Sequence, residues 1–279
     1  MEDERLLVHQ LTAGTVVKFV AFLDGVQESR PVSYLDGIPL VLGNVAAAIR
    51  VRSDRRMSTW PSGRRHLSKL YAPRKLLPEN VASALEVIGY PVVDTLGARP
   101  NETVHPYELL RLAVHAVQSE RQQLERELDE SWCASVGETL YVDGGLPWGE
   151  LSSRAACCVG VVKTHHTLYA ADDEIKTVLA MPQGSRSSVF MLERHWGPTV
   201  ASWYLRLRDP RGHDPMWGLV RVEVAMQSGE SVKMLSERAD DVTRWVLAER
   251  APLSLPDSRW HTMAYGIRDC EEYLRAVAN

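Results

Sequence analysis

No uninterrupted apolar run in the 279-residue chain approaches the roughly 20 residues that a membrane-spanning helix requires. The opening residues, Met1-Glu2-Asp3-Glu4-Arg5, are acidic and lack the basic start of a secretory signal. Together these absences make the cytoplasm the expected location, with no membrane partner. Cysteine is scarce. Cys133, Cys157, Cys158 and Cys270 have no zinc-ligand spacing, and a vicinal pair is a poor disulfide framework, so reduced structural thiols are expected. There is no P-loop, no Gly-x-Gly-x-x-Gly, no His-Glu-x-x-His and no Gly-x-Ser-x-Gly. A basic excess is missing too. With 32 Lys and Arg against 36 Asp and Glu, the net charge of −4 argues against bulk affinity for nucleic acid, although a local basic surface is compatible with it. Internal repeats, low-complexity tracts and flexible linkers are also absent, which leaves one domain over residues 1–279.

What is present is an ordinary globular composition, 45% hydrophobic and 24% charged, able to bury a substantial core. The most informative stretch is Thr139-Leu140-Tyr141-Val142-Asp143-Gly144-Gly145-Leu146. It reads as an interior strand that ends in an acid followed by two glycines. The acid cannot follow the strand inside, because a carboxylate must stay hydrated, paired or metal-bound. The same pattern occurs in Thr15-Val16-Val17-Lys18-Phe19-Val20-Ala21-Phe22-Leu23, closed by Asp24-Gly25. Two such strands in one sheet would bring two carboxylates to one edge, where a divalent cation offsets their repulsion. Asp-Gly is also a common turn pair, and Asp36-Gly37 is read as only a hairpin turn.

Taken in order, residues 2–12 suit a short helix, Gln27–Pro31 a turn, and Val32–Leu35 with Ile38–Val51 further strand. The segment 50–75 is strongly basic. Arg55, Arg56, Arg64, Arg65 and Lys69, with Trp60 among them, are candidates for phosphate contact and base stacking on single-stranded nucleic acid. The alternative is a solvated charged face. A short helix is expected over 78–89 and a brief extended piece over 90–94. Pro106 to Trp132 reads as one long helix, with Leu109, Leu110, Ala113, Val114, Val117, Leu124 and Leu128 at helical spacing. Arg121 and Glu125, four apart beside that stripe, can lean towards a sheet. Ala155–Lys163 reads as a strand whose terminal Lys163 could meet a phosphate or a carboxylate. His165-His166 is a weak metal signal, since adjacent side chains diverge. Helix over 172–182, a polar loop at Ser185–Ser188, strands at Val200–Leu207 and Leu219–Met226, and helices at 232–250 and 265–277 complete the expectations. Trp203, Tyr204, Arg206, Arg221 and Glu223 are candidate site neighbours.

The order of Asp24-Gly25, Arg121 with Glu125, Asp143-Gly144-Gly145-Leu146 and Val159-Gly160-Val161-Val162-Lys163 resembles the NurA family of nucleases. So do the later Trp203-Tyr204-Leu205-Arg206-Leu207 and Leu219-Val220-Arg221-Val222-Glu223. The chain departs from the family in having Val26 where a serine usually follows the first Asp-Gly, and Tyr265-Gly266 and Glu271 in its C-terminal helix. The resemblance implies an α/β, ribonuclease H-like mixed β-sheet flanked by helices, with a basic insertion near residues 50–75. It also implies a metal-dependent deoxyribonuclease acting on DNA ends or single strands. Asp24, Glu125 and Asp143 would hold Mn²⁺ or Mg²⁺, with Lys163 on the scissile phosphate and Glu271 completing the site. Glu120 and Glu127 stand as alternatives to Glu125, and His261 to Glu271. A homodimer working with a HerA-type hexameric ATPase, in DNA repair or antiviral defence, is the implied assembly. The rival reading is a catalytically silent DNA-binding or scaffold subunit of such a complex.

Overall fold

Val, Ile and Leu recur through Ile38–Ser53 and favour extended backbone, and in the computed structural model it is a single 16-residue strand. The structure describes residues 2, 3, 5–11, 16–54, 56–87, 89, 90, 92–97, 104–164, 167–194, 197–250 and 259–278. Its elements are β1 (Val8–Gln10), β2 (Ala21–Leu35), β3 (Ile38–Ser53), β4 (Arg56–Ala72), α1 (Glu79–Val87), β5 (Val92–Asp94), α2 (Pro106–Ser135), β6 (Leu140–Asp143), β7 (Cys158–Val162), α3 (Asp172–Leu179), β8 (Ser185–Ser187), β9 (Phe190–Leu192), β10 (Val200–Arg206), β11 (Leu219–Ala225), α4 (Val232–Glu249) and α5 (Tyr265–Ala278).

The strands hydrogen-bond in the order β4-β3-β2-β6-β7 around β2, with β2, β6 and β7 mutually parallel. The meander β2-β3-β4 is made by tight connections, the first of them Asp36-Gly37, where both residues take positive φ as a two-residue hairpin requires. The chain then passes through α2 and returns as β6 on the other side of β2. This is the mixed α/β sheet flanked by helices that the resemblance implied.

The residues group into two compact units: Met1–Asp24, Ile49–Trp60 and Asp129–Cys270 form the first, and Gly25–Ala48, Pro61–Leu128 and Glu271–Asn279 the second. In the first unit the order continues β7-β11-β10-β8-β1 through antiparallel pairs, with β9 also on β10. Every residue of β10 and β11 is buried. Phe22, Tyr141, Val159, Val161, Trp203 and Val222 share a core with Val242 and Val246 of α4 and Ile267 of α5. Full burial of such side chains is worth about 1.5–3 kcal/mol each. In the second unit Leu40, Leu70, Ala72, Leu77 and Val92 form a smaller core. There Gly43 leaves room for the Tyr71 ring and Val117 of α2, which would otherwise meet a Cβ at 2.5–2.6 Å.

Three local expectations are corrected. Residues 2–12 are not helical: Val8–Gln10 is an edge strand paired with β8. Ser185–Ser188 is not a polar loop, because Ser185–Ser187 is a buried strand. It can be buried because Arg186 is matched by Glu2 at 2.7 Å and Asp240 at 2.6 Å. Gln27–Pro31 is not a turn but the middle of β2. The described ladder between β2 and β6 covers only Ala21–Leu23, so Pro31 lies in an exposed stretch where its missing N–H is tolerated. The described basic residues of the segment 50–75 belong to β3, β4 and the short 3₁₀ turn Arg74–Leu76. No helix among the described residues is long and apolar enough to cross a membrane.

Candidate metal centre

The parallel register of β2 and β6 pairs Ala21 with Leu140, Phe22 with Tyr141 and Leu23 with Val142. One step further brings Asp24 level with Asp143. Because side chains alternate along a strand, Asp24 lies on the face of Phe22 and Asp143 on that of Tyr141, the face that packs against α4 and α5. Asp24 is therefore not at the end of its own strand, as the sequence suggested, but where its neighbour β6 stops. One carboxylate oxygen of each aspartate lies within 4.8 Å of the other's. Asp24 is 6% exposed, so water can only partly screen the pair.

The backbone beyond Asp143 turns sharply. Gly144 has φ +120° and pairs with Val161, and the segment Gly144–Leu146 lies directly over Gly160 of β7. A Cβ at Gly160 would collide with the Leu146 amide and stand 2.8 Å from the Gly145 carbonyl carbon. The Leu146 amide in turn donates to Glu223 at 2.9 Å, and Glu223 pairs with Arg221 at 2.7 Å. Those two residues thus anchor the loop after Asp143. Lys163, one residue past β7, reaches Asp143 Oδ2 at 2.6 Å. The ammonium supplies positive charge to the acidic pair, and two carboxylate oxygens within 4.8 Å of one another are the hard donors that a divalent ion takes. Burial pushes the Tyr141 phenol well above its usual range, and the charge of Asp143 adds to the shift.

The C-terminal helix approaches the same strand. Gly266 admits the Phe22 ring into the space that a Cβ would fill. One turn on, the Cys270 thiol lies 3.8 Å from the Phe22 carbonyl oxygen. Burial raises this thiol well above its ordinary range, and Asp24 raises it further. Asp269 holds Arg50 at 2.7 Å. Glu271 follows Cys270 directly, is 7% exposed, and accepts from Arg275 at 3.3 Å. In the second unit, Glu125 pairs with Arg121, and its carboxylate fills the space beside Gly25, the residue that follows Asp24. The other two helix glutamates are engaged elsewhere: Glu120 with Lys69 at 2.8 Å, and Glu127, exposed, with Gln123 at 2.9 Å.

The candidate nucleic-acid residues are distributed along β4. Arg56 and Arg64 are exposed, whereas Arg65 is half-buried and folds onto the Ser62 and Arg64 carbonyls. Lys69 is paired with Glu120, and Trp60 packs edge-on against Trp132 with centroids 5.4 Å apart. Arg55, His165 and His166 lie outside the described residues. Of the candidate neighbours, Trp203 is core and donates to Thr243, and Tyr204 accepts from the Tyr169 amide. Arg206 binds the carbonyls of Leu179, Pro215 and Trp217, so it closes the end of α3 and the loop before β11. Beside Lys163 a cavity of about 260 Å³ is lined by Thr164, Asp214, Met216 and His261. His261 is stacked on Trp217 at 3.9 Å, and His213 on the same indole at 4.0 Å. Neither Arg50 nor Arg194 was singled out for the site from the sequence. A lone arginine carries no spacing signal, and only the fold brings Arg194 to the Leu146 carbonyl and Arg50 to Asp269.

Fold and site together define a mixed α/β protein with an acidic pair and a lysine where the parallel strands β6 and β7 stop. No protein-family model matches the chain, and no curated protein does. Among solved structures it is similar to the crystal structure of the NurA nuclease from Sulfolobus solfataricus, at 10% identity, over 98% of this chain and 84% of that one, with a TM-score of 0.46.

Proposed function

We propose that the protein is a metal-dependent nuclease that hydrolyses phosphodiester bonds in DNA. The observation that carries this reading is the approach of Asp24 and Asp143 within 4.8 Å, with Lys163 2.6 Å from Asp143. Asp24 and Asp143 would hold Mn²⁺ or Mg²⁺. A bound divalent ion supplies positive charge to the phosphate and lowers the pKa of a water molecule. The protein's part is to fix the carboxylates on the strands β2 and β6. Lys163, now 2.6 Å from Asp143, would steady a non-bridging phosphate oxygen. Exposed Arg56 and Arg64 guide the strand through backbone phosphates, which carry no sequence information. In keeping with the resemblance in sequence order, the assembly is a homodimer that works with a HerA-type hexameric ATPase in end processing or defence against phage.

The test is cleavage of an end-labelled single strand and of a duplex, with Mn²⁺, Mg²⁺ or EDTA, by the wild type and by Asp143→Asn. Metal-dependent cleavage that Asp143→Asn lowers at least a hundredfold, with fold and DNA retention intact, is the expected outcome. A wild type that cleaves nothing, with or without a partner ATPase, would leave the scaffold reading.

A further inference from the structure

Three of the four cysteines, scattered in sequence, meet at the far end of the parallel strands. Cys133 lies in the last turn of α2, Cys157 just before β7 and Cys158 at its first position. The Cys133 and Cys158 sulfurs are 3.3 Å apart, those of Cys157 and Cys158 are 3.8 Å apart, and all three lie within 4.8 Å of one another. A tetrahedral zinc site with Zn–S bonds of about 2.3 Å places its sulfurs about 3.8 Å apart, close to these separations. Asp129, one helical turn before Cys133 on α2, is fully buried. Its Oδ1 accepts from Cys158 at 3.2 Å, while Oδ2, also buried, has no hydrogen-bond partner. An unsatisfied buried carboxylate oxygen beside three thiols is costly unless something cationic completes it.

We propose that Cys133, Cys157, Cys158 and Asp129 form a binding site for a thiophilic divalent cation of the zinc class, which ties the end of α2 to the start of β7. The site is separate from the acidic pair. Cys158 and Lys163 bracket β7, five residues or roughly 17 Å at about 3.3 Å per residue, and Cys158 alternates onto the face opposite Val159 and Val161. A soft metal takes cysteine sulfur as the thiolate, and the three sulfurs are close enough to share one ion. Cys133 and Cys157 are only half-buried, which leaves an entry path, and all four cysteines are free thiols. Binding displaces the remaining thiol protons, so it weakens as pH falls.

The probe is Co²⁺ alone, titrated into metal-free, reduced full-length protein and followed by its thiolate-to-cobalt charge-transfer absorption, with Zn²⁺ as competitor. One equivalent of Co²⁺ should produce the band and Zn²⁺ should abolish it. Cys133→Ser and Asp129→Asn should each weaken binding at least tenfold, while Asp143→Asn leaves the band unchanged. Cys133 is half-exposed, so its serine variant tests the site even if substitution at buried Asp129 prevents folding. Absence of the band in the reduced wild type, or a band undiminished in Cys133→Ser, would overturn the proposal. So would a band lost in Asp143→Asn.

Discussion

Lys163 Nζ stands 2.6 Å from Asp143 Oδ2, with the two side chains 12% and 14% exposed. The pair is thus an internal cation on a carboxylate that has a second carboxylate beside it. It defines a competition: whatever ion occupies the acidic pair must displace or share this ammonium.

Lys163→Met therefore lowers the melting temperature in EDTA, because it leaves the clustered carboxylates uncompensated. It should also enlarge the stabilisation that Mn²⁺ gives, since the competitor is gone, while cleavage falls. Thermal denaturation of both proteins with and without Mn²⁺ measures this. Equal Mn²⁺ shifts would mean that lysine and metal do not compete.

Gly25→Ala drives a methyl group into the Glu125 carboxylate. Overpacking of this kind costs about 1–3 kcal/mol. In an Glu125→Ala background the penalty should largely vanish, so a double-mutant cycle on urea unfolding should show a coupling of about 0.5–3 kcal/mol. Additive effects would place Glu125 away from the strand that carries Asp24.

Glu2 gives a pH signature. Burial raises its pKa, but hydrogen bonds from Arg186, Ser236 and the Val189 amide outweigh burial and hold it at about 2, below its ordinary 4.5. A depressed carboxyl contributes stability above the unfolded-state pKa and loses it as pH falls through the folded one. The stability difference between wild type and Glu2→Gln should be constant above about pH 5 and shrink as pH falls from 4.5 towards 2. Urea midpoints across that range check it, and a difference independent of pH would contradict the assignment.

Arg64→Glu tests the basic face of β4. Losing one phosphate contact should lower the salt slope of single-strand binding by roughly 0.7. An unchanged slope would make Arg64 merely a solvated charge.

Much of this organisation is legible in the sequence because hydrophobic periodicity is. Leu109, Ala113, Val117, Leu124 and Leu128 mark α2, and Leu140–Asp143 and Val159–Lys163 mark the parallel strands. The placement of Asp24 beside Asp143 follows from two apolar runs that must share one sheet. Elements that depend on distant partners are not legible. Arg186 in a buried strand reads as a loop until Glu2 and Asp240 are brought to it. Pro31 reads as a turn because nothing local tells where β6 ends. The cysteine cluster has no motif spacing, since its members come from a helix end and a strand start that only the fold brings together.

The central claim is that Asp24 and Asp143 hold one metal ion between them. Its most direct measurement is anomalous diffraction from crystals grown with Mn²⁺. The account predicts a peak between the two carboxylates, with Lys163 displaced from Asp143. No peak there, with Lys163 still paired to Asp143 at saturating Mn²⁺, would contradict it.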